Sequence, residues 1–177
     1  MGYMPTFEEL ENPNSSLSTE VISTDQKVIG KFYLQNRSNI SFENINPNLK
    51  NALLATEDIR FFNHTGVDMR ALLRVLKGLV GGDSGGGGST VTQQLAKNLF
   101  PREHLNKLQL VFRKLKEWII AVKLERSYTK PEIMAMYFNT VPFSDNAYGI
   151  KSAAYVYFGK PIDSLKIEEA AVLVGML

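Results

Sequence analysis

Residues 81 to 94 read GGDSGGGGSTVTQQ, and what this stretch is decides how the chain folds. A flexible linker between separate units needs only slack and polar flanks. A Walker-type phosphate loop needs Lys and a hydroxyl residue after its last glycine, the Lys to meet phosphate and the hydroxyl to meet magnesium. In the frame Gly82, Gly87, Gly88, Ser89 a glycine stands where that Lys is required, and no G-x-G-x-x-G spacing exists, so nucleotide binding is disfavoured. The residues after the glycines are not linker-like. Thr90 precedes Gln93 by three residues, a capping-box signature, and Leu95 and Leu99 recur at helical spacing before Pro101. The glycines run into a helix start.

Outward from this point the chain reads mainly helical from Pro47 onward. Periodicity predicts helices over 48–62, 67–80, 91–100, 107–126, 130–139, 146–158 and 166–177. Thr129 and Glu132 form a second capping box, and Gly159 before Lys160 and Pro161 is a stop signal. Residues 1–18 form a polar, extended lead-in, and EVISTDQKVIGKFY (20–33) alternates around a Ser-Thr-Asp-Gln turn in the pattern of a short β-hairpin. The expected division is therefore 1–46, lead-in and hairpin, and 47–177, one helical domain.

A chain of 177 residues with 44% hydrophobic and 21% charged residues can build one ordinary core. It has no cysteine, which excludes disulfides and thiol chemistry, and its two histidines, His64 and His104, are too few for a typical zinc site. No apolar run approaches the roughly 18 residues of a membrane span. The net charge of +2 is unevenly spread: residues 97–130 hold nine Lys or Arg against three Glu. That segment suits an anionic partner, although charge alone favours solvated helix faces.

Two carboxylates have unusual surroundings. On a helix through NALLATEDIRFF (51–62), Glu57 falls between Leu53 and Phe61 at the border of an apolar face, and Asp58 points about a quarter turn away. Partial desolvation there makes a carboxylate a better base than a solvated one. A lone boundary Glu is the bland alternative; the adjoining Arg60, Phe61, His64 and Gly66 weigh against it. Glu117, in RKLKEWII (113–120), lies one turn after Arg113. It is either half of a surface ion pair or a carboxylate held among cations that face a phosphorylated ligand, and spacing does not choose between them.

The stretch VDMRALLRVLKGLV (67–80) is a basic amphipathic helix. Met69, Leu72, Leu73, Val75, Leu76, Leu79 and Val80 share one face, opposite Arg70, Arg74 and Lys77. Such a face is usually buried in a core, but adjacent glycines favour mobility, and the reading taken here is an element in a membrane interface.

Taken together, ATEDIRFFNHTG (55–66), GGGSTVTQQLAKNLF (86–100), RKLKE (113–117) and KPEIMAMYFN (130–139) resemble, in order and spacing, the first four motifs of the peptidoglycan glycosyltransferases of family 51. These occur in class A penicillin-binding proteins and monofunctional transglycosylases. FSDNAYGIKSAAYVYFGK (143–160) and EEAAVLVGML (168–177) also look like the family. The resemblance implies a mainly α, lysozyme-like fold with a short N-terminal hairpin and a small mobile membrane-facing lobe. It implies polymerisation of lipid II with inversion and release of undecaprenyl diphosphate. Glu57 would be the base on the acceptor 4-hydroxyl, and Glu117 would assist departure of the diphosphate, with a divalent ion (Mg or Mn) as an optional companion. Lys97, Arg113 and Lys114 match diphosphate-holding positions. Ser89, Thr90, Thr92, Gln93 and Gln94 match the substrate-lining second motif, Asn139 matches the largely structural fourth, and Asp58, Arg60, Phe61, His64 and Gly66 belong to the first. The expected partners are lipid II, the growing glycan chain, the membrane surface through 67–80 and a moenomycin-type inhibitor, with no nucleic acid, at the outer face of the bacterial cytoplasmic membrane.

The chain departs from the family pattern at Ala135, where an acidic residue is usual, and at Gln109, where Arg is common, which makes Lys107 and Arg102 candidate substitutes. It stops at Leu177, before the family's Arg-rich fifth motif, so the chain is expected to be a piece of a longer protein. Two other classes of function remain open: a muramidase-like hydrolase using paired carboxylates, and a non-catalytic membrane-binding module.

Overall fold

A computed structural model describes residues 19–25, 28–32, 40–81, 87–99, 107–144 and 147–177. Strands β1 (Thr19–Ile22) and β2 (Val28–Phe32) pair antiparallel, with a register irregularity between Val21 and Ile22. Seven helices come after them among the described residues: α1 (Pro47–Thr56), α2 (Met69–Gly81), α3 (Val91–Leu99), α4 (Lys107–Ser127), α5 (Lys130–Thr140), α6 (Ile150–Phe158) and α7 (Ile167–Gly175). The mainly helical architecture agrees with the expected lysozyme-like class. α3 packs against α4 and α5, and α1 packs against α7. Fully buried residues of these helices, including Leu53, Leu95, Leu124, Phe138 and Leu173, form one core with Phe61.

Local chemistry sets the boundaries. Asn46 caps α1 by accepting from the Asn48 N–H (2.8 Å), with Pro47 at the first helical position. The Asn46 amide also donates to the carbonyls of Ile162 (3.1 Å) and Leu165 (3.0 Å), which ties the start of α1 to the segment leading into α7. The expected helix over 48–62 is shorter. α1 ends at Thr56, Glu57 is its C-terminal cap, and a separate 3-10 turn covers Phe61–Asn63. The Thr56 hydroxyl donates back to the Ala52 carbonyl (2.8 Å), and the Asp58 carboxylate is drawn away to the start of α3. Glu57 therefore leaves the helix end rather than a helix face.

Helix α6 begins at Ile150, not 146. An isolated bridge joins Pro142 to Tyr148, and the Gly149 N–H donates to the Val141 carbonyl (2.8 Å), making a turn that ends where the helix begins. At the other end Gly159 closes α6 as expected, its N–H donating to the Tyr155 carbonyl (2.9 Å). The Thr129–Glu132 capping box also forms, with the Thr129 N–H donating to Glu132 at 2.7 Å. The bonds from the Thr129 hydroxyl and N–H hold the Glu132 carboxyl below its ordinary range.

Helix α2 is anchored at its start by Asp68, whose carboxylate accepts from the Arg70 (2.9 Å) and Ala71 (3.0 Å) N–H groups and pairs with Arg60 at 2.8 Å. Burial by itself would raise the Asp68 carboxyl. The Ala71 N–H, the Arg60 bond and charge, and the Arg70 N–H together outweigh it and leave the group below its ordinary value. Beyond this anchor Met69 (60% exposed) and Leu73 (54% exposed) face outward, as do Arg70, Arg74 and Lys77. Of the expected apolar face, Leu72 and Val75 are half-buried, and Leu76, Leu79 and Val80 fall outside the residues whose side chains are described. The glycine loop and the expected mobile lobe fall partly on 82–86 and 100–106, outside the described residues, as does Arg102.

Candidate active site

A cleft of about 590 Å³ opens between the end of α1, helices α3 and α4, and the floor made by α5. Glu57, Ser89, Gln93, Gln94, Lys97, Arg113, Lys114 and Glu117 all line it, so both carboxylates singled out in the sequence share one cavity with three cations. Asn98, Tyr137 and Pro142 line it as well; Asn98 and Tyr137 fall within the second and fourth motif stretches, and the sequence reading singles out none of the three.

Helix α3 is the central wall. Thr90 is its N-cap, accepting from the Gln93 N–H (3.2 Å), while its own hydroxyl donates to the Gly66 carbonyl (2.7 Å). Only half of the expected capping box forms. The Gln93 side chain turns away from the Thr90 N–H and donates to the Gly66 carbonyl instead (3.3 Å), because that buried acceptor lies within its reach. One turn of the wall then presents Gln94 and Lys97 to the cleft. Gln94 Nε2 donates to Glu57 Oε2 at 2.6 Å, and Gln94 Oε1 accepts from the Tyr137 hydroxyl at 3.0 Å. Glu57 is half-buried, and among the described residues its Oε1 has no hydrogen-bond partner.

Helix α4 supplies the charge. Glu117 Oε1 faces Arg113 Nε at 3.4 Å and Glu117 Oε2 faces Lys114 Nζ at 3.1 Å; the Glu117 side chain is only 12% exposed. Glu117 thus forms the ion pair with Arg113 that spacing allows, and it is a largely buried carboxylate beneath two cations at a cavity wall. Lys114 Nζ also receives Ser89 into its shell, donating to the Ser89 hydroxyl at 2.8 Å, which joins the end of the glycine stretch to α4. Lys97 is exposed and has no ion pair or hydrogen bond among the described residues. A carboxylate with one open oxygen can take a proton from a hydroxyl, and a neighbouring cluster of cations can hold an anionic group.

The remaining residues read as ligand contacts do not line this cleft. Asp58 accepts from His64 Nε2 (2.9 Å) and from the Val91 N–H (3.2 Å), so it fastens the first-motif loop to the start of α3. Arg60 pairs with Asp68, and Phe61 is fully buried in the core. Thr92 donates to Glu125 (2.6 Å), which also accepts from Lys130 (2.6 Å), binding α3 to α4 and α5. Asn139 both donates to and accepts from the Ile40 backbone, at 2.9 Å each way. Gly66 (φ +91°) passes so close to α4 that a Cβ there would meet the Ala121 backbone at 2.8 Å. Asp58, Arg60, Phe61, His64, Gly66, Thr90, Thr92 and Asn139 therefore hold the walls in place.

A divalent ion finds few donors. Among the described residues no three His, Cys, Asp or Glu side chains come together. Glu117, facing two cations, is the carboxylate that would hold such an ion, together with phosphate oxygens of a substrate, the usual way Mg is bound.

A helical domain whose cleft joins an open carboxylate to a cation cluster has the makings of a group-transfer enzyme acting on an anionic substrate. The chain belongs to the transglycosylase family, whose profile matches residues 25–177. The resemblance to family-51 peptidoglycan glycosyltransferases is thereby borne out. Among its relatives, penicillin-binding protein 1A of Pseudomonas aeruginosa is 39% identical over 174 residues, covering 98% of this chain and 21% of the relative. Penicillin-binding protein 1A of Escherichia coli is 35% identical, covering 98% and 20%. Penicillin-binding protein 1F of Bacillus subtilis is 37% identical over 160 residues, covering 90% and 22%. The chain thus spans about a fifth of the length of these relatives.

Proposed function

We propose that this domain polymerises lipid II into β-1,4-linked glycan strands. The observation that carries the reading is the shared cleft, in which Glu57 with its open Oε1 and the cations Lys97, Arg113 and Lys114 line one cavity. In the proposed step Glu57 removes the proton from the acceptor sugar's 4-hydroxyl. The oxygen attacks C1 of the donor chain from the face opposite the diphosphate, the C1–O bond to phosphate breaks, and undecaprenyl diphosphate leaves with its electron pair, inverting C1. Lys97, Arg113 and Lys114 offset the charge that grows on the leaving oxygen, so no strong acid is needed. Glu117 serves as the counter-ion that aims Arg113 and Lys114 into the cavity, and a moenomycin-type phosphoglycolipid would compete for the same cations. A muramidase needs a proton donor as its second carboxyl, and the Glu117 oxygens, each facing a cation, are better disposed as acceptors.

Lys114→Ala should lower turnover of lipid II roughly 30-fold, the loss of one charge-assisted contact of about 2 kcal/mol. Gel analysis of glycan polymer made by a protein carrying this domain measures it. Wild-type rates in Lys114→Ala would remove the cation site from the mechanism.

The outward Met69 and Leu73 of α2, together with exposed Ile59 and Phe62 before it and the cations Arg70, Arg74 and Lys77, support a second part of the reading: this side of the domain rests on the outer face of the cytoplasmic membrane. No helix among the described residues is long and apolar enough to cross one. Hydrogen exchange should show α2 gaining protection with anionic vesicles and little with neutral ones. Equal exchange with and without vesicles would contradict the membrane assignment.

A further inference from the structure

We propose that Gln94 and Tyr137 are positioning residues that orient the two oxygens of Glu57, anchoring Oε2 and leaving Oε1 as the proton acceptor. This deepens the catalytic reading above and rests on it for the role of Glu57.

The inference starts from donor and acceptor counting. An ionised carboxylate only accepts hydrogen bonds, whereas a Gln amide offers an NH₂ donor at one end and a carbonyl acceptor at the other. Gln94 lies between Glu57 Oε2 (2.6 Å) and the Tyr137 hydroxyl (3.0 Å). Alone, such an amide can rotate by half a turn and offer Glu57 its carbonyl, which would bind the protonated carboxyl and disable a base. Tyr137 forbids the rotation. Its side chain is fully buried on α5, and burial, followed by the nearby Glu57 charge, pushes its phenol well above the ordinary value, so the hydroxyl keeps its proton. That proton needs an acceptor, and the Gln94 carbonyl is the one it has. Among the described residues no other side chain competes for Gln94. The amide nitrogen is thereby committed to Glu57 before substrate arrives. Gln94 Nε2 can remain bonded to Oε2 after Oε1 has taken a proton, so the anchor serves both states of the base.

The arrangement also separates two neighbours of one motif. Gln93 is tied to the Gly66 carbonyl and holds the wall, whereas Gln94 holds the base. Tyr137 acts from α5, 43 residues away, so no local pattern marks it.

The test begins with the 177-residue chain labelled with ¹⁵N at glutamine, where no turnover is needed. The two Nε2 protons of Gln94 should resonate far apart, one of them shifted downfield by the carboxylate. Glu57→Ala, which removes the acceptor, should bring them together, and Tyr137→Phe, which keeps the ring, should do so too by freeing the amide to rotate. A merely structural tyrosine would leave the Gln94 pair unmoved in a Tyr137→Phe chain whose other resonances are native, and that result overturns the proposal. If Tyr137→Phe does not fold, the Glu57→Ala spectrum decides: a Gln94 pair unmoved from wild type shows that no amide-to-carboxylate bond exists. In a protein carrying this domain, Tyr137→Phe and Gln94→Met should each lower kcat about tenfold with KM unchanged, and the double variant should be no slower than the slower single one. Multiplying effects would mean that the two residues act separately and would overturn the coupling. Absence of polymer in the wild type alongside the expected amide shifts would sink the polymerase reading and leave the positioning of Glu57 standing.

Discussion

Replacing Glu57 by Gln should lower kcat for glycan polymerisation about 10³-fold, within the range that a positioned general base contributes. The substitution is nearly isosteric, and the new amide oxygen can still accept the Gln94 Nε2 bond that reaches Glu57 Oε2 in the wild type. What disappears is the ability to take the 4-hydroxyl proton. KM should therefore hold while kcat falls, since the cations on α3 and α4 proposed to hold the diphosphate are untouched. The thermal midpoint should stay close to the wild type, because Glu57 is a half-buried cap and its backbone N–H donates to Leu53 whatever the side chain. Retained turnover in a folded Glu57→Gln protein would remove Glu57 from the chemistry. Loss of the fold would show that its role is structural.

The second large effect lies away from the chemistry. Gly66→Ala should destabilise the domain by roughly 3 kcal/mol, combining left-handed backbone strain with a clash in a packed interior. The new Cβ would sit 2.8 Å from the carbonyl carbon and oxygen of Ala121 and 3.0 Å from the Val122 nitrogen. These are backbone atoms in the middle of α4, so nothing can rotate aside. Relief requires the loop to move, and the Gly66 carbonyl, which receives the Thr90 hydroxyl and the Gln93 amide, moves with it. The start of α3 then loses its seat, and the alignment of Gln94 and Lys97 in the cleft goes with it. Denaturant unfolding reads the stability, and the polymer assay should show activity falling with it. A stability unchanged to within about 0.5 kcal/mol, the range of an ordinary surface substitution, would mean that α4 does not approach Gly66 as described.

These two positions illustrate what is legible in the sequence. Glu57 stands out from its apolar surroundings and its cluster of neighbours, yet periodicity puts it on a helix face and the fold puts it at a helix end. Periodicity cannot see that Thr56 turns its hydroxyl back to Ala52 or that Asp58 leaves to cap a helix 33 residues further along. Glu117 is recognisable as a carboxylate among cations, and only the fold shows that it lies at a cavity wall. Asp58 and His64 belong to the first motif and Thr92 to the substrate-lining second, which is why they read as ligand contacts, whereas Asn139 matches the largely structural fourth. Their partners are distant or not obvious locally: the Val91 N–H, Glu125, and the Ile40 backbone 99 residues from Asn139. Polar residues used to lock walls together look the same in sequence as polar residues aimed at a substrate. Tyr137 escapes notice for the converse reason. In a run of apolar residues on α5 its ring belongs to the core, and only the fold brings its hydroxyl to Gln94.

The glycine stretch shows the limit of local reading from another side. Its helix start at Thr90 is legible from the cap alone, whereas the link from Ser89 to Lys114 depends on α4 lying beside it. Through that contact the end of the stretch reaches the cation cluster, so a sequence that resembles a linker borders the cleft.

The most direct measurement of the central claim is incubation of a purified protein carrying this domain with lipid II, tracking glycan polymer and undecaprenyl diphosphate together. Polymer should lengthen with time, with one diphosphate released per bond formed, and neither product should form in Glu57→Gln. Lipid II left intact while fragments are released from finished peptidoglycan would contradict it.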